Sequence, residues 1–383
     1  MGIVRSNSMA TYEYPDYYES FHCIGGICKD SCCAGWEVDV DDDSAELYSN
    51  VPAALPMGAR FRKELYKDAE GFKFHLTHDK RCPFLNRADN LCDIISEMGE
   101  GALCVTCTEY PRYFCDGPEY EQVDLTLSCP EAVRIFYSSE EPLTYVQYEE
   151  PLHDTDWEED PFDEEDDFSD GTEEDWDDAE EELDDEEDVV DDGYSQDTVL
   201  SAEHFTDADR ERLRRTLDLR NNAIRLLQDR SKSLKERFLD VEALYPEVSI
   251  GSDRELMDLL LQMEDVNPNW TSIKARLNED PKRAASCVGP FLEAGGSALE
   301  NRMERFATYL VYRYTFDLYY HEDEKRVIRF VKRCYRMLML ILGDWCVEHQ
   351  TLDMPVGDLE DCTRIFSRQV EHSKGNMDLL IKE

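Results

Sequence analysis

Alternation of apolar and polar positions marks the first part of the chain. Trp36-Glu37-Val38-Asp39-Val40-Asp41 has the period of a half-buried strand, and Phe72-Lys73-Phe74-His75-Leu76 repeats it. Between them Asp43, Ser44 and Glu46 predict a helix start, and Phe61 to Tyr66 a second short helix. Val123-Asp124-Leu125-Thr126-Leu127 predicts a further strand that runs into Ser128-Cys129-Pro130-Glu131. There a proline at the first helical position and an acid in the first turn predict a helix through Phe136. After Thr206 the period becomes helical. Thr206 and Asp209 make a capping box ahead of Leu213, Leu217, Ile224 and Leu227, and further helices carry Leu234, Phe238 and Leu239, then Leu256 to Met263. Pro268, Pro281 and Pro290 are expected in the loops between. Phe306, Tyr309, Tyr312 and Phe316 follow helical spacing. Val327, Val331, Tyr335, Leu338 and Leu342 line one face of the next helix, with Lys325, Arg329, Lys332 and Arg336 on another. Those four cations suit either a solvated face or an anionic partner. The expected fold is mainly α, with a cysteine-rich, irregular N-terminal metal-binding region containing short strands (α+β).

Charge divides the chain. Asp and Glu number 88 against 40 Lys and Arg, a formal net charge of −48 that argues against binding nucleic acid through phosphate. Between Asp156 and Asp192 stand 25 of those acids and no Lys or Arg. Such composition cannot bury a core and predicts disorder. Three regions follow: 1–147, cysteine-rich; 148–197, an acidic disordered insert; and 198–383, a helical domain. Trp157, Phe162, Phe168 and Trp176 give the insert an acidic-aromatic pattern, although a solvated spacer is the simpler reading. The most apolar stretch, Val327 to Val347, is broken by Arg329, Lys332, Arg333, Arg336 and Asp344, so no membrane span is expected. Residues 1 to 20 lack the apolar run of a secretory signal. The expectation is a cytoplasmic protein with reduced thiols.

The thiols are the chemistry. Of 14 cysteines, ten lie in the first 129 residues: Cys23, Cys28, Cys32 and Cys33, then Cys82, Cys92, Cys104, Cys107, Cys115 and Cys129, which read as one system. A chain of 383 residues can bury a core without covalent staples, and a reducing compartment disfavours them, so metal is the better reading. Cys82 and Cys92 sit on the arms of a hairpin-like excursion. Cys104-Val105-Thr106-Cys107 has a spacing that lets two sulfurs face one metal, and Cys129 stands at a helix N-terminus that favours a thiolate. The candidate ligands are Cys28, Cys32, Cys82, Cys92 and Cys107, with Cys23, Cys33 and Cys129 as further members. Zinc, an iron–sulfur cluster and a metal-free redox sensor remain open at this point. Cys287, Cys334, Cys346 and Cys362 are expected as small apolar residues of helices.

Several blocks in a fixed order carry a family resemblance. They are the run from Phe21-His22-Cys23 through Cys32-Cys33-Ala34-Gly35-Trp36, then Cys82-Pro83-Phe84-Leu85, Leu91-Cys92, Cys107-Thr108-Glu109-Tyr110-Pro111-Arg112 and Ser128-Cys129-Pro130-Glu131. Arg220-Asn221-Asn222 through Asp229-Arg230 and the aromatic helix at 306–316 extend them. With these residues the chain resembles the bacterial flagellin lysine-N-methylase family over nearly its whole length, the acidic insert excepted. The resemblance implies methyl transfer from S-adenosylmethionine to lysine side chains of flagellin, with an iron–sulfur cluster, 4Fe-4S, held by the N-terminal cysteines. The same blocks are similar to cysteine-rich proteins that chelate zinc or iron without catalysis. In that alternative the helical half binds a partner.

No motif places the S-adenosylmethionine site. A glycine-rich strand-to-helix turn is absent. The C-x3-C-x2-C triplet of radical S-adenosylmethionine enzymes is incomplete, because Cys28 and Cys32 have the first spacing but position 35 is Gly. An attacking lysine amine must be neutral although lysine ordinarily titrates near 10.4, so a desolvated pocket or a base is required. His75, His78, Glu109 and Tyr110 are the titratable groups nearest the thiols in sequence, and none is assigned as the base.

Overall fold

The computed structural model describes residues 9–36, 38–69, 71–151, 205–266 and 268–382. The chain enters through β1 (Met9–Pro15), passes the thiol loop at 21–36, and forms β2 (Asp39–Val40), α1 (Asp42–Asn50), α2 (Pro56–Glu64), β3 (Leu65–Lys67) and β4 (Phe72–Phe74). After an irregular excursion come α3 (Asp93–Met98), α4 (Val105–Glu109), β5 (Arg112–Gly117), β6 (Tyr120–Leu125), α5 (Pro130–Tyr137) and β7 (Tyr145–Pro151). One sheet has the order β5-β6-β1-β7 and the other β2-β4-β3. β1 runs parallel to β6, with Thr11 opposite Tyr120, and antiparallel to β7 from Met9–Pro151 to Pro15–Tyr145.

The small sheet has a core of its own. Val38, Val40, Tyr48, Phe61, Phe74, Phe84 and Ile94 pack there with Cys82 and Cys104, and the Tyr48 and Phe61 rings stack at 4.3 Å. Asp41 caps α1 by accepting from the Ser44 N–H, and it also accepts from Val105 N–H at 2.8 Å. One carboxylate thereby ties the starts of α1 and α4 together.

The remainder is helical: α6 (Asp207–Leu227), α7 (Leu234–Glu242), α8 (Asp253–Gln262), α9 (Pro268–Glu279), α10 (Pro281–Tyr314), α11 (Asp317–His321), α12 (Glu324–His349), α13 (Val356–Glu371) and α14 (Lys374–Ile381). Reciprocal capping boxes start α6, α7 and α8 at Thr206/Asp209, Ser233/Glu236 and Ser252/Glu255. α10 and α12 cross closely at Gly343, where an added Cβ would stand 2.3 Å from the Ala284 carbonyl oxygen. Their core is continuous with the larger sheet: Leu125, Leu127, Val133 and Phe136 share it with Phe306, Tyr309, Leu338 and Phe366. A buried ion pair adds a polar lock. Arg220 of α6 meets Glu13 of β1 at 2.5 Å and lies over the Tyr312 ring, whose hydroxyl donates to the Glu13 carbonyl at 3.0 Å.

The architecture is mainly helical with short N-terminal strands, as the patterning predicts, and it departs from that pattern in several places. β1, β5 and β7 are not foreshadowed by periodicity, because cross-strand pairing makes them. β7 takes up residues 148–151, which composition assigns to the acidic insert; the rest of that insert, 152–197, lies outside the described residues. Leu65 and Tyr66, expected in a helix, leave it to pair with Phe74 and Lys73. Pro268 and Pro281 open helices, a position that needs no proline N–H, and Pro290 lies within α10. The four cations do not form a free face. Arg336 grips Asp253 at 2.7 and 2.8 Å, Lys332 reaches Glu242 at 3.2 Å, and Arg329 donates to the Ile381 carbonyl at the end of α14; only Lys325 is exposed. Cys334, Cys346 and Cys362 are buried as expected, and Cys287 is half-buried. Among the described residues no helix is long and apolar enough to cross a membrane.

Candidate metal centre

The thiols fall into two groups. In the first, the Cys33 carbonyl accepts from the Cys82 N–H at 2.7 Å, and the Ala34–Arg81 bridge extends that pairing. A second bridge, Leu85–Cys92, turns the chain back so that Cys92 returns toward Cys82, which is the hairpin-like excursion expected from sequence. α4 packs onto β2, with Cys104 Sγ 3.7 Å from the Asp39 carbonyl oxygen. Cys33, Cys82, Cys92, Cys104 and Cys107 all pack into the small core. Their charges interact: burial, with the neighbouring thiolates of Cys33, Cys92 and Cys104, pushes Cys82 up to about 12. Cys107 is raised by its hydrogen bond with Cys104, then by burial and by Cys104, Cys33 and Cys82, while the same bond lowers Cys104.

The other group is more open. Cys23 is exposed and accepts from the Gly25 N–H at 3.4 Å; Cys28 follows one turn later, its N–H bonded to the Gly25 carbonyl at 3.0 Å. Cys129 is the N-cap of α5 and is buried. Burial raises it to about 11, the backbone N–H groups of Ala132 and Glu131 oppose the rise, and Cys28 and Cys23 add to it. Cys32 is raised by its hydrogen bond with Cys33 and by burial, with further contributions from Cys33, Cys23 and Cys129. Cys23 thus acts electrostatically on Cys28, Cys32 and Cys129 alike. The groups meet at Cys32 and Cys33, whose sulfurs are 4.0 Å apart. Cys115 joins neither, since it packs with Tyr120, Leu213 and Phe316. Cys115 therefore stands apart from the other nine N-terminal cysteines.

α13 clasps the open group. Arg364 and Arg368 both donate to the Asp30 carboxylate, the latter at 2.7 Å, and Arg368 also donates to the Ala34 carbonyl. Gly35 makes room for this. Its φ of +93° suits glycine, and a Cβ there would lie 2.8 Å from Arg368 Nη2. Next to the clasp the Trp36 indole N–H donates to the Cys32 carbonyl at 2.5 Å, and the Trp36 ring meets those of His372 and Tyr110 at 5.1 and 6.0 Å. Ser128 Oγ lies 2.8 Å from His372 Nε2 and 3.1 Å from the Tyr110 hydroxyl. Burial, then the cations Arg368 and Arg313, lowers His372 to about 3, so it is a neutral imidazole at neutral pH. Glu371 accepts from Tyr309 at 2.9 Å and from Thr126, and pairs with Arg313 at 3.4 Å.

Of the titratable groups near the thiols in sequence, only Tyr110 stands at this junction. His75 is exposed and stacks on Tyr66 at 4.1 Å; His78 is exposed beside Asp79. Burial raises Glu109, with Arg112 opposing. Asp30 and Ser128 stand in the residue blocks, but the contacts that join Asp30 to Arg364 and Arg368, and Ser128 to His372, escape a sequence reading because they span more than 200 positions. Cys104 was the one candidate with a visible signal, the C-x2-C spacing it shares with Cys107.

All the cysteines are free thiols. Among the described residues no three His, Cys, Asp or Glu side chains already converge in ligating geometry. The donor chemistry nevertheless fits a thiophilic centre: the clustered donors are thiols, the ligand type that zinc and iron–sulfur clusters share, and a bound cation would offset the burial and mutual repulsion that now keep most of these thiols protonated.

Fold and site together define a mainly helical protein whose thiol-rich module is clasped by its C-terminal helices. Over 125 residues, 32% of the chain, it is 28% identical to the Lysine-N-methylase of Salmonella choleraesuis and covers 31% of that protein. Over the same length it is 28% identical to the Flagellar biosynthetic protein FliU of Salmonella muenchen, covering 73% of it, and 27% identical to the Lysine-N-methylase of Salmonella typhimurium, covering 31%. The chain thus matches about a third of the length of the two methylases. The resemblance read from the residue blocks is found in these proteins, over a third of the chain rather than nearly all of it. No family model and no solved structure matches.

Proposed function

We propose that this protein transfers methyl groups from S-adenosylmethionine to lysine side chains of flagellin in the cytoplasm, in dependence on an iron–sulfur cluster, 4Fe-4S, held by N-terminal cysteines. The observation that carries the reading is the 125-residue similarity to proteins named Lysine-N-methylase and to a flagellar biosynthetic protein. The clasp supports it, because a module that only stored metal would not need α13 bound to its thiol loop through Asp30. When bound, the cluster supplies electron transfer or Lewis acidity; zinc in its place would supply only the latter. The candidate ligands are Cys23, Cys28, Cys32, Cys33, Cys82, Cys92, Cys107 and Cys129.

The chain's own residues contribute shielding. Trp36 and Tyr110 cover the carbonyl of Cys32 and the approach to Ser128 and Cys129. Arg313, Arg364 and Arg368 lie at the junction, paired with Glu371 and Asp30, and a lysine amine brought there is favoured in its neutral, nucleophilic form by desolvation. The test uses anaerobically purified full-length protein, S-adenosylmethionine labelled in its methyl group, and purified flagellin. Label on flagellin lysines, located by peptide mass, supports the reading. Label on other proteins' lysines alone overturns the flagellin target. No transfer by metal-loaded protein moves the reading to a non-catalytic zinc- or iron-binding protein that engages a partner through its helical half.

A further inference from the structure

We propose that the cavity between α2 and the hairpin that carries Cys82 and Cys92 binds a small oxyanion, a carboxylate or a phosphate, through Arg81 with Arg60 and Arg87. The site stands apart from the methyl-transfer reading. Only one source of its oxyanion, the methionine carboxylate of S-adenosylmethionine, rests on that reading.

Three segments bring three guanidiniums to one place. The cavity, of about 250 Å³, is lined by Arg60, Arg81 and Arg87 together with Thr77, Asn86 and Asp93. α2 supplies Arg60. A turn closed by the Thr77 N–H to the Arg81 carbonyl at 2.9 Å supplies Arg81, and the hairpin, closed by the Asn86 N–H to the Leu91 carbonyl at 2.8 Å, supplies Arg87. Side chains then staple these segments. Arg87 donates to both oxygens of Asp79 at 2.8 and 2.9 Å, and Arg81 donates to Asn90 Oδ1 at 2.8 Å, so turn and hairpin are tied twice. Arg60 meets Asp93 at 2.8 Å and donates to the Pro83 carbonyl at 2.9 Å. The walls are therefore in place before a ligand arrives.

Charge decides what the cavity takes. Arg60 and Arg87 each have a carboxylate, whereas among the described residues Arg81 has none; its one side-chain bond is to Asn90, and its buried Nε has no partner. Arg305 and Arg333, both buried, each donate to two carbonyl oxygens, so Arg81 is poorly provided by comparison. A guanidinium without a counter-charge in a protein wall carries a desolvation cost that an incoming oxyanion offsets, and its planar fork matches the oxygens of carboxylate and phosphate. Asp93 in the same lining discriminates between the two. It accepts from Asn86 at 3.0 Å and keeps lone pairs that suit an ammonium, so the zwitterionic end of an amino acid fits better than a phosphate, which the acid repels. Cys82 forms part of the same wall, so a ligand bound here lies against the thiol module.

Calorimetric titration of anaerobically purified full-length protein tests this with S-adenosylmethionine, S-adenosylhomocysteine, decarboxylated S-adenosylmethionine and inorganic phosphate as probes. Hydrogen exchange with and without each probe, read by peptide mass over residues 77–93, locates binding in the unaltered chain. S-adenosylmethionine and S-adenosylhomocysteine are expected to bind and to protect 77–93. Removing the carboxylate from the probe, or Arg81→Gln from the protein, is expected to weaken binding about tenfold, and the two together no further than either alone. Arg254→Gln, which removes the same charge from the exposed side of α8, is expected to leave binding unchanged. Phosphate that binds and protects 77–93, with no binding of the adenosyl probes, keeps the oxyanion site and removes S-adenosylmethionine as its source. Adenosyl probes that protect another region, and bind the folded Arg81→Gln protein as tightly as the unaltered one, overturn the site and leave methyl transfer standing. No protection of 77–93 by any probe overturns the site outright, whatever label reaches flagellin.

Discussion

Arg368 donates to Asp30 at 2.7 Å across 338 positions of sequence, and this contact joins the last long helix to the thiol loop. Arg364 shares the same carboxylate and also meets Asp361 at 3.3 Å. Asp30→Asn keeps the size of the side chain and removes its charge. Arg364 then keeps only the exposed Asp361, and Arg368 only the Ala34 carbonyl, a loss expected to cost about 3 kcal/mol. Urea unfolding with a two-state fit to the helical signal measures the loss, and faster alkylation of Cys28 and Cys32 reports the freed loop. An unchanged midpoint would show that the clasp is ornamental.

Gly35→Ala tests the same clasp from the other side. The new methyl occupies the place of Arg368 Nη2 at a residue held at φ +93°, so strain and displacement add, about 1–3 kcal/mol together. Combining it with Arg368→Met should cost less than the sum of the two, since the clashing group is gone. Full additivity in that double-mutant cycle rules out the proposed contact.

Arg220 and Glu13 are both nearly inaccessible to solvent, and the Arg220 side chain is held by Tyr120 and Gln122 as well. Arg220→Met leaves a carboxylate buried without its counter-charge, an expected loss of about 3–5 kcal/mol. Adding Glu13→Gln should restore part of it. Thermal denaturation of the single and double variants decides the point, with no restoration counting against the pairing.

Asp116 and Glu121 face one another directly across β5 and β6. Burial first, then Glu109, raises Asp116 to about 6; burial, then Asp116 and Glu109, raises Glu121 to about 7. Both values lie above the roughly 4 of an unfolded carboxyl. The folded state therefore holds these protons more tightly, and stability is lost as pH rises from about 4 to about 7. Glu121→Gln removes that loss. It is expected to raise the melting temperature by about 1–2 °C at pH 8 and to leave it nearly unchanged at pH 4.5. A gain of equal size at both pH values would assign the effect to packing instead.

By itself the sequence determined what local physics settles. The capping box at Thr206 and Asp209, the helix opened by Pro130 behind Cys129, the apolar stripe of α12 and the cysteine spacings all depend on neighbours within a few positions, so they are legible in one dimension. The tertiary structure alone decided where each thiol is held. Cys32 and Cys33 are adjacent in sequence yet are anchored to different parts of the fold, because the Cys33 carbonyl is bonded to the Cys82 N–H while the loop bearing Cys32 is held to α13 through Asp30. The same holds for β1 and β7, strands that exist by pairing across more than a hundred residues, and for His372, which reaches Ser128 from the far end of the chain. Such contacts gain their energy from burial and hydrogen bonding between remote segments, and no local pattern of residues encodes which remote segment arrives.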